Sequence, residues 1–252
     1  MCGMLTFLLL LILAIAAPLA INAWLGAGHS PEPWYRASMA ATGLAPQTSE
    51  AVVQVYAAPA FHWRGIFAVH TWIVVKPSGA KRYTRYDVMG WGGAPMVKRD
   101  TAAPDAQWFG KRPTLLAERR GEGVDAMIDS IEVAVRDYPY NHVYRTWPGP
   151  NSNTFVAHVA REVPELRLDM PANALGKDYT PLSRPIMPAP SGTGITLSLL
   201  GAAGMTLGAE EGLELNVLGL GLGLNPKQLA LRLPGLGAMP TPRNPPASVR
   251  AS

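Results

Sequence analysis

From Met4 to Ala23 the chain reads MLTFLLLLILAIAAPLAINA, twenty residues without a charge. As a helix this run rises about 30 Å, the hydrocarbon thickness of a bilayer. A helix also satisfies its own backbone in lipid. The run therefore predicts a membrane-spanning anchor over residues 1–25, with Pro18 near its far end and Trp24 at the interface. A cleaved signal peptide is the rival reading, because Ala20-Ile21-Asn22-Ala23 resembles a small-residue cleavage site. Against it, no Lys or Arg precedes the apolar run, which exceeds the usual length of about 7 to 15 residues. The nearest positive residue is Arg36, so the flanks lack the asymmetry that sets orientation. A body outside the cytoplasmic membrane is the default for a single N-terminal anchor.

Charged residues are 16% of the chain, below the globular average of roughly 25%, and its 25 Gly and 24 Pro crowd the loops and ends. The compact unit is accordingly smaller than the 252 residues. The single cysteine, Cys2, excludes an intramolecular disulfide and a thiolate metal cluster. Net charge is +4, and basic residues gather between Arg64 and Arg120. That density is below the stripe of a nucleic-acid binder, so no nucleic-acid partner is expected. A solvated positive face is the plain reading, and an anionic membrane or acidic substrate the functional one.

Residues 26–49 read as a linker of Gly, Pro, Ser and Ala, with Trp34-Tyr35 placed to rest on the membrane. The folded unit is expected over 50–190. Ala51–Ala57, Ile66–Lys76 and Lys81–Met89 are rich in β-branched and aromatic residues and predict three antiparallel strands. A loop-rich passage follows Gly90-Trp91-Gly92-Gly93. Val124, Met127, Ile128, Ile131 and Val135 recur at helical spacing, which predicts a helix from Gly123 to Tyr138. A second helix is expected from Ser152 to Glu162, capped by Asn151 or Ser152 and closed before Pro164. From Ser191 the character changes: leucines alternate with glycines over 218–224, which predicts a Gly-rich β-meander over 191–237. The uncharged stretch Ser191–Ala209 is weighed as a second membrane segment, with its Gly, Ser and Thr content against it. Residues 238–252, with four prolines, read as a disordered tail.

Chemistry points to two short runs, Val69-His70-Thr71-Trp72-Ile73-Val74-Val75 and Gly149-Pro150-Asn151-Ser152-Asn153-Thr154-Phe155. A nucleophile gains most at the first turn of a helix, where free N–H groups and the dipole favour negative charge, with an imidazole on a neighbouring strand as base. Ser152 and His70 hold those places. Both runs resemble the motifs of the PPPDE peptidases, the desumoylating-isopeptidase group of permuted papain-like hydrolases, related to NlpC/P60 enzymes. The resemblance implies an α+β fold with a permuted papain-like core, in which an antiparallel sheet carries two helices. It also implies that His70 is the base and that Ser152 stands where those enzymes carry a reactive cysteine. The likeness spans about Val52 to Pro164; as a whole the chain looks like an uncharacterised bacterial membrane-associated family.

A thiol ionises readily beside a histidine, whereas a serine needs its proton taken during attack by an oriented base. Two readings follow: a membrane-anchored hydrolase of amides or esters using a Ser–His pair, and an inactive papain-like fold serving as a binding or envelope module. A peptide or envelope component is the expected substrate. Asn151 and Asn153 are candidate oxyanion donors, although asparagines beside a helix start are commonly caps. His142 and Asp178 are candidates to orient His70, while His158 reads as packed or exposed. His62 with His70 lacks a zinc spacing, and no HExxH or CxxC run occurs, so no metal or cofactor is expected.

Overall fold

The structure is a computed structural model that describes residues 2–29, 38–240 and 249–250. Trp34-Tyr35 and most of the C-terminal tail lie outside the described residues. The chain is a mixed α+β protein with an N-terminal apolar helix and two sheets. Helix α1 (Cys2–Trp24) is the one described helix long and apolar enough to cross a membrane. Its far end is tied to the body: the Asn22 amide donates to Ile66 O at 2.6 Å and to Gly235 O at 3.0 Å.

The first sheet contains β1 (Val52–Pro59), β2 (Val69–Lys76), β3 (Thr84–Val88), β4 (Val97–Arg99), β5 (Thr114–Arg120) and β13 (Val249–Arg250), in the order β13-β5-β1-β2-β3-β4. All pairings are antiparallel except β13 with β5. Helices α2 (Val124–Arg136) and α3 (Ser152–Glu162) lie on one face. There Val53, Val55, Ile73 and Val75 meet Ile128 and Ile131 of α2 and Phe155 and Val159 of α3. The opposite face buries Tyr56, Trp72, Val74 and Trp108. With both faces covered, β1 and β2 are buried along nearly their whole length, which is why they read as continuous apolar runs.

Two strands occupy the passage that the sequence marks as loop. Strand β5, TLLAERR, carries charge where a strand normally carries branched carbon, and the fold neutralises it. The Arg119 guanidinium donates to Leu166 O at 2.6 Å, and Glu118 accepts from Arg120 and from the Gln54 amide. Of the basic residues between Arg64 and Arg120, Lys76, Arg85 and Arg119 are buried, while Lys81, Arg82, Arg99 and Arg112 are exposed as a solvated positive face requires.

The second sheet is a meander of seven antiparallel strands in chain order: β6 (Ile186–Pro188), β7 (Gly194–Leu199), β8 (Ala203–Gly208), β9 (Gly212–Val217), β10 (Leu220–Asn225), β11 (Ala230–Leu233) and β12 (Gly237–Met239). The uncharged stretch weighed as a second membrane segment forms the β7–β8 hairpin instead. Within the tail expected from residue 238, Ala238 and Met239 belong to β12 and Val249 and Arg250 pair with β5, while 241–248 and 251–252 lie outside the described residues. A buried ion cluster joins the sheet to the segment before it. Lys177 Nζ lies 2.6 Å from Glu214 Oε1, and the other oxygen of Glu214 accepts from Arg232 at 3.0 Å.

Candidate functional site

Helix α3 starts as its sequence dictates. Asn151, in extended conformation, accepts from the backbone N–H groups of Asn153 at 2.9 Å and Thr154 at 3.2 Å, while the Thr154 hydroxyl accepts from Asn151 N at 3.1 Å. This capping box gives the cap to Asn151 and leaves the Ser152 hydroxyl out of it. Among the described residues no hydrogen bond engages Ser152 Oγ, and no acceptor takes the Ser152 N–H. A free hydroxyl and a free amide therefore share the first turn of the helix.

Packing holds that turn in place. The Asn151 side-chain amide donates to Thr146 O and Leu175 O, at 3.1 and 3.0 Å. Gly176, at φ +91°, lies so close that an added Cβ would fall 2.5 Å from the Asn151 amide nitrogen, so only glycine fits. The Asn153 amide donates to Val69 O at 2.9 Å and Leu175 O at 2.8 Å, and its oxygen accepts from the Thr71 hydroxyl at 2.9 Å. Val69 and Thr71 flank His70, so these bonds fix β2 and the start of α3 as one unit. They also spend both amide hydrogens of Asn151 and of Asn153, which removes these side chains as oxyanion donors.

His70 is buried, and its Nε2 lies 2.9 Å from Asp87 Oδ1. Asp87 Oδ2 accepts from Arg85 Nε at 2.5 Å and from the Thr101 hydroxyl at 3.3 Å. Arg85 in turn donates to Ala103 O at 2.9 Å and lies over the Trp72 ring at 4.2 Å. The imidazole stacks face to face on Trp108, with ring centres 3.8 Å apart and planes within 8°. Burial pushes the His70 pKa below its ordinary value, against the opposing pull of Asp87. For Asp87, burial opposes ionisation, but the hydrogen bond from His70 and the charge of Arg85 prevail and lower its pKa. The stable state is thus a carboxylate beside a neutral imidazole. A carboxylate only accepts, so Nε2 carries the proton and Nδ1 is left bare, as a base requires.

His70 and Ser152 line one cavity of about 690 Å³, whose wall includes the rings of Trp63, Trp91, Trp108 and Trp147. Alternation along β2 turns Thr71 toward α3 and His70 toward the opposite face, where it stacks on Trp108. No hydrogen bond joins Ser152 Oγ to His70. The other candidates lie elsewhere. His142 is exposed in the connection between α2 and α3. Asp178 is buried against Lys177 and accepts from the Asn216 amide at 3.1 Å. His158, half-buried, approaches Ala134 O at 3.1 Å. The carboxylate on His70 is Asp87, whose signal was present in the strand Lys81–Met89: Arg85 and Asp87 share a face in alternation with Tyr86 and Val88. Among the described residues no group of three His, Cys, Asp or Glu side chains is arranged to hold a metal.

Residues 50–179 match the family DUF3750, described as a protein of unknown function. The matched span opens two residues before β1 and closes after the loop that locks Asn151 and Asn153, so it encloses the whole constellation. No curated protein and no solved structure matches the chain.

Proposed function

The chain belongs to the DUF3750 family, and from that premise we propose that its member here is a membrane-anchored, papain-like hydrolase of amide or ester bonds working through Ser152, His70 and Asp87. One observation carries the reading: Asp87 occupies Nε2 of His70 while Nδ1 is left as a base in a ring that lines the same cavity as a hydroxyl not used for capping. His70 Nδ1 takes the Ser152 proton as Oγ bonds to the substrate carbonyl carbon. The Ser152 N–H faces the developing oxyanion, the imidazolium returns its proton to the leaving amine or alcohol, and water then releases the acyl group by the same exchange. Asp87 matters more here than an orienting residue does for a thiol. An alcohol ionises only during attack, so the tautomer and direction of the base decide the rate.

The helix α1 is read as a retained anchor, since cleavage beside Ala23 would remove the Asn22 bonds to Ile66 and Gly235. The body is placed outside the cytoplasmic membrane. A reporter fused after Ala41 that is active only in the cytoplasm would overturn that side.

A second reading is favoured by the missing bond between Ser152 and His70: a noncatalytic module whose aromatic cavity binds without turnover. A fluorophosphonate probe separates the two. The hydrolase reading predicts a phosphonyl adduct on Ser152 that is lost in Ser152→Ala and slowed in Asp87→Asn by roughly 10³-fold or more. Full-length protein that stays unlabelled, or a label insensitive to Asp87→Asn, would leave the binding reading.

A further inference from the structure

The seven-stranded sheet has its polarity reversed. Its face toward the rest of the protein carries Thr196, Ser198, Thr206, Glu214, Asn216 and Arg232, all buried. Its outward face is aliphatic. The registers Ile195↔Leu207, Leu207↔Leu213, Leu213↔Leu224, Leu224↔Leu231 and Leu231↔Met239 make one unbroken rung across six strands. Ile195 and Leu207 are each 60% exposed, and Leu224 is 55% exposed. At about 4.8 Å between strands the rung is about 24 Å long. A second rung runs beside it from Ile186 through Leu215 to Leu222. Neither carries a charged residue. Contiguous exposed apolar surface on this scale marks a surface that is covered in use.

We propose that this face lies on the lipid of the bilayer crossed by α1, which makes the sheet a second membrane contact; the inference rests on α1 being retained. Position supports it. Gly235, in the turn between β11 and β12, accepts from Asn22 near the end of α1 where a spanning helix leaves the hydrocarbon, so one edge of the sheet is held at the membrane surface. Chemistry supports it as well. Protein interfaces concentrate aromatic and Arg anchors, whereas no Phe, Tyr or Trp occurs after Tyr179 and both rungs are Ile, Leu and Met. Backbone groups of the inner strands are paired within the sheet, so their side chains and not unpaired backbone meet the acyl region. The cavity shared by His70 and Ser152 is lined by Leu19 of α1, Leu218 of the β9–β10 turn and Leu220 of β10, so part of its wall comes from the two elements assigned to the lipid.

The test uses full-length protein in nanodiscs of phosphatidylcholine and phosphatidylglycerol. Cys2→Ser is combined singly with Leu207→Cys, Leu224→Cys, Leu13→Cys or Asp129→Cys, and the thiol carries a polarity-sensitive fluorophore. At Leu207 and Leu224 the expected result is blue-shifted emission, quenching by acyl-chain nitroxides and protection from iodide. Asp129, exposed on α2, shows the reverse. Iodide access at Leu207 and Leu224 with lipid quenching at Leu13 overturns the sheet contact alone. Iodide access at all three overturns the anchor with it. Protection at Leu207 from both quenchers, with a cross-linked dimer, assigns the face to a second copy and overturns the proposal.

Discussion

The two sheets apply one rule of alternation in opposite senses. In the six-stranded sheet both faces are covered by protein, so β1 and β2 are buried on both sides and polar residues enter only where a partner waits, as His70 does beside Asp87. In the meander one face is covered, and that face is the polar one, with the leucines outside. Apolar periodicity thus tells which residues share a face. What the face meets depends on the surroundings: the first sheet meets its own helices, while among the described residues nothing covers the outer face of the second.

The sharpest way to break this contrast is to remove matching side chains from each sheet's covered side. Phe155, fully buried on α3 and edge-on to Tyr138 with ring centres 5.2 Å apart, should cost about 3 to 5 kcal/mol as Phe155→Ala, measured by denaturant unfolding in detergent. On the inner face of the meander, Glu214→Gln weakens the partner shared by Lys177 and Arg232 and should cost about 3 kcal/mol in the same measurement. A loss below about 0.5 kcal/mol would mean that the polar layer does not hold the meander down.

Acid should act next, and through the first sheet. His70 and Asp87 both have pKa values lowered in the fold, so each binds fewer protons folded than unfolded. Their contribution to stability is present above the unfolded values and is lost as pH falls through the folded ones. The thermal midpoint should fall on acidification below about pH 6.5, and His70→Gln should flatten the upper part of that fall. A midpoint that rises on acidification would contradict the neutral-imidazole, charged-carboxylate state. The smallest effect belongs to the outer face. Leu207→Ala should change stability in detergent by less than about 0.5 kcal/mol, because no covering protein is lost.

Much of the first sheet was legible because its chemistry is local. The apolar runs gave β1, β2 and β3, the three-and-four spacing gave α2, and the Asn-Ser-Asn-Thr run before Pro164 gave α3 with both its ends. Strand β5 was hidden because Glu118, Arg119 and Arg120 read as surface until Gln54 and Leu166 are brought to them. The site divided in the same way. Ser152 at a helix start and His70 on a strand are one-segment statements. The partner of His70 is not: pairing of Ile73 with Tyr86 sets Asp87 beside the strand that carries His70. The two asparagines lost their proposed role for a reason equally remote in sequence, since the carbonyl of Leu175 that occupies both comes from a loop over twenty residues downstream. In the meander the Leu-Gly alternation showed the strands and not their sense, because only the fold reveals Glu214 and Arg232 on the covered side.

The central claim is that His70 works on whatever sits at position 152. It is tested most directly by installing a thiol there, in Ser152→Cys combined with Cys2→Ser, and following its alkylation by iodoacetamide against pH, with and without His70→Ala. An imidazole base in reach predicts an inflection clearly below the free-cysteine value of about 8.5, returning toward that value when His70 is replaced. An inflection at or above that value, or one that ignores the loss of His70, would contradict the account.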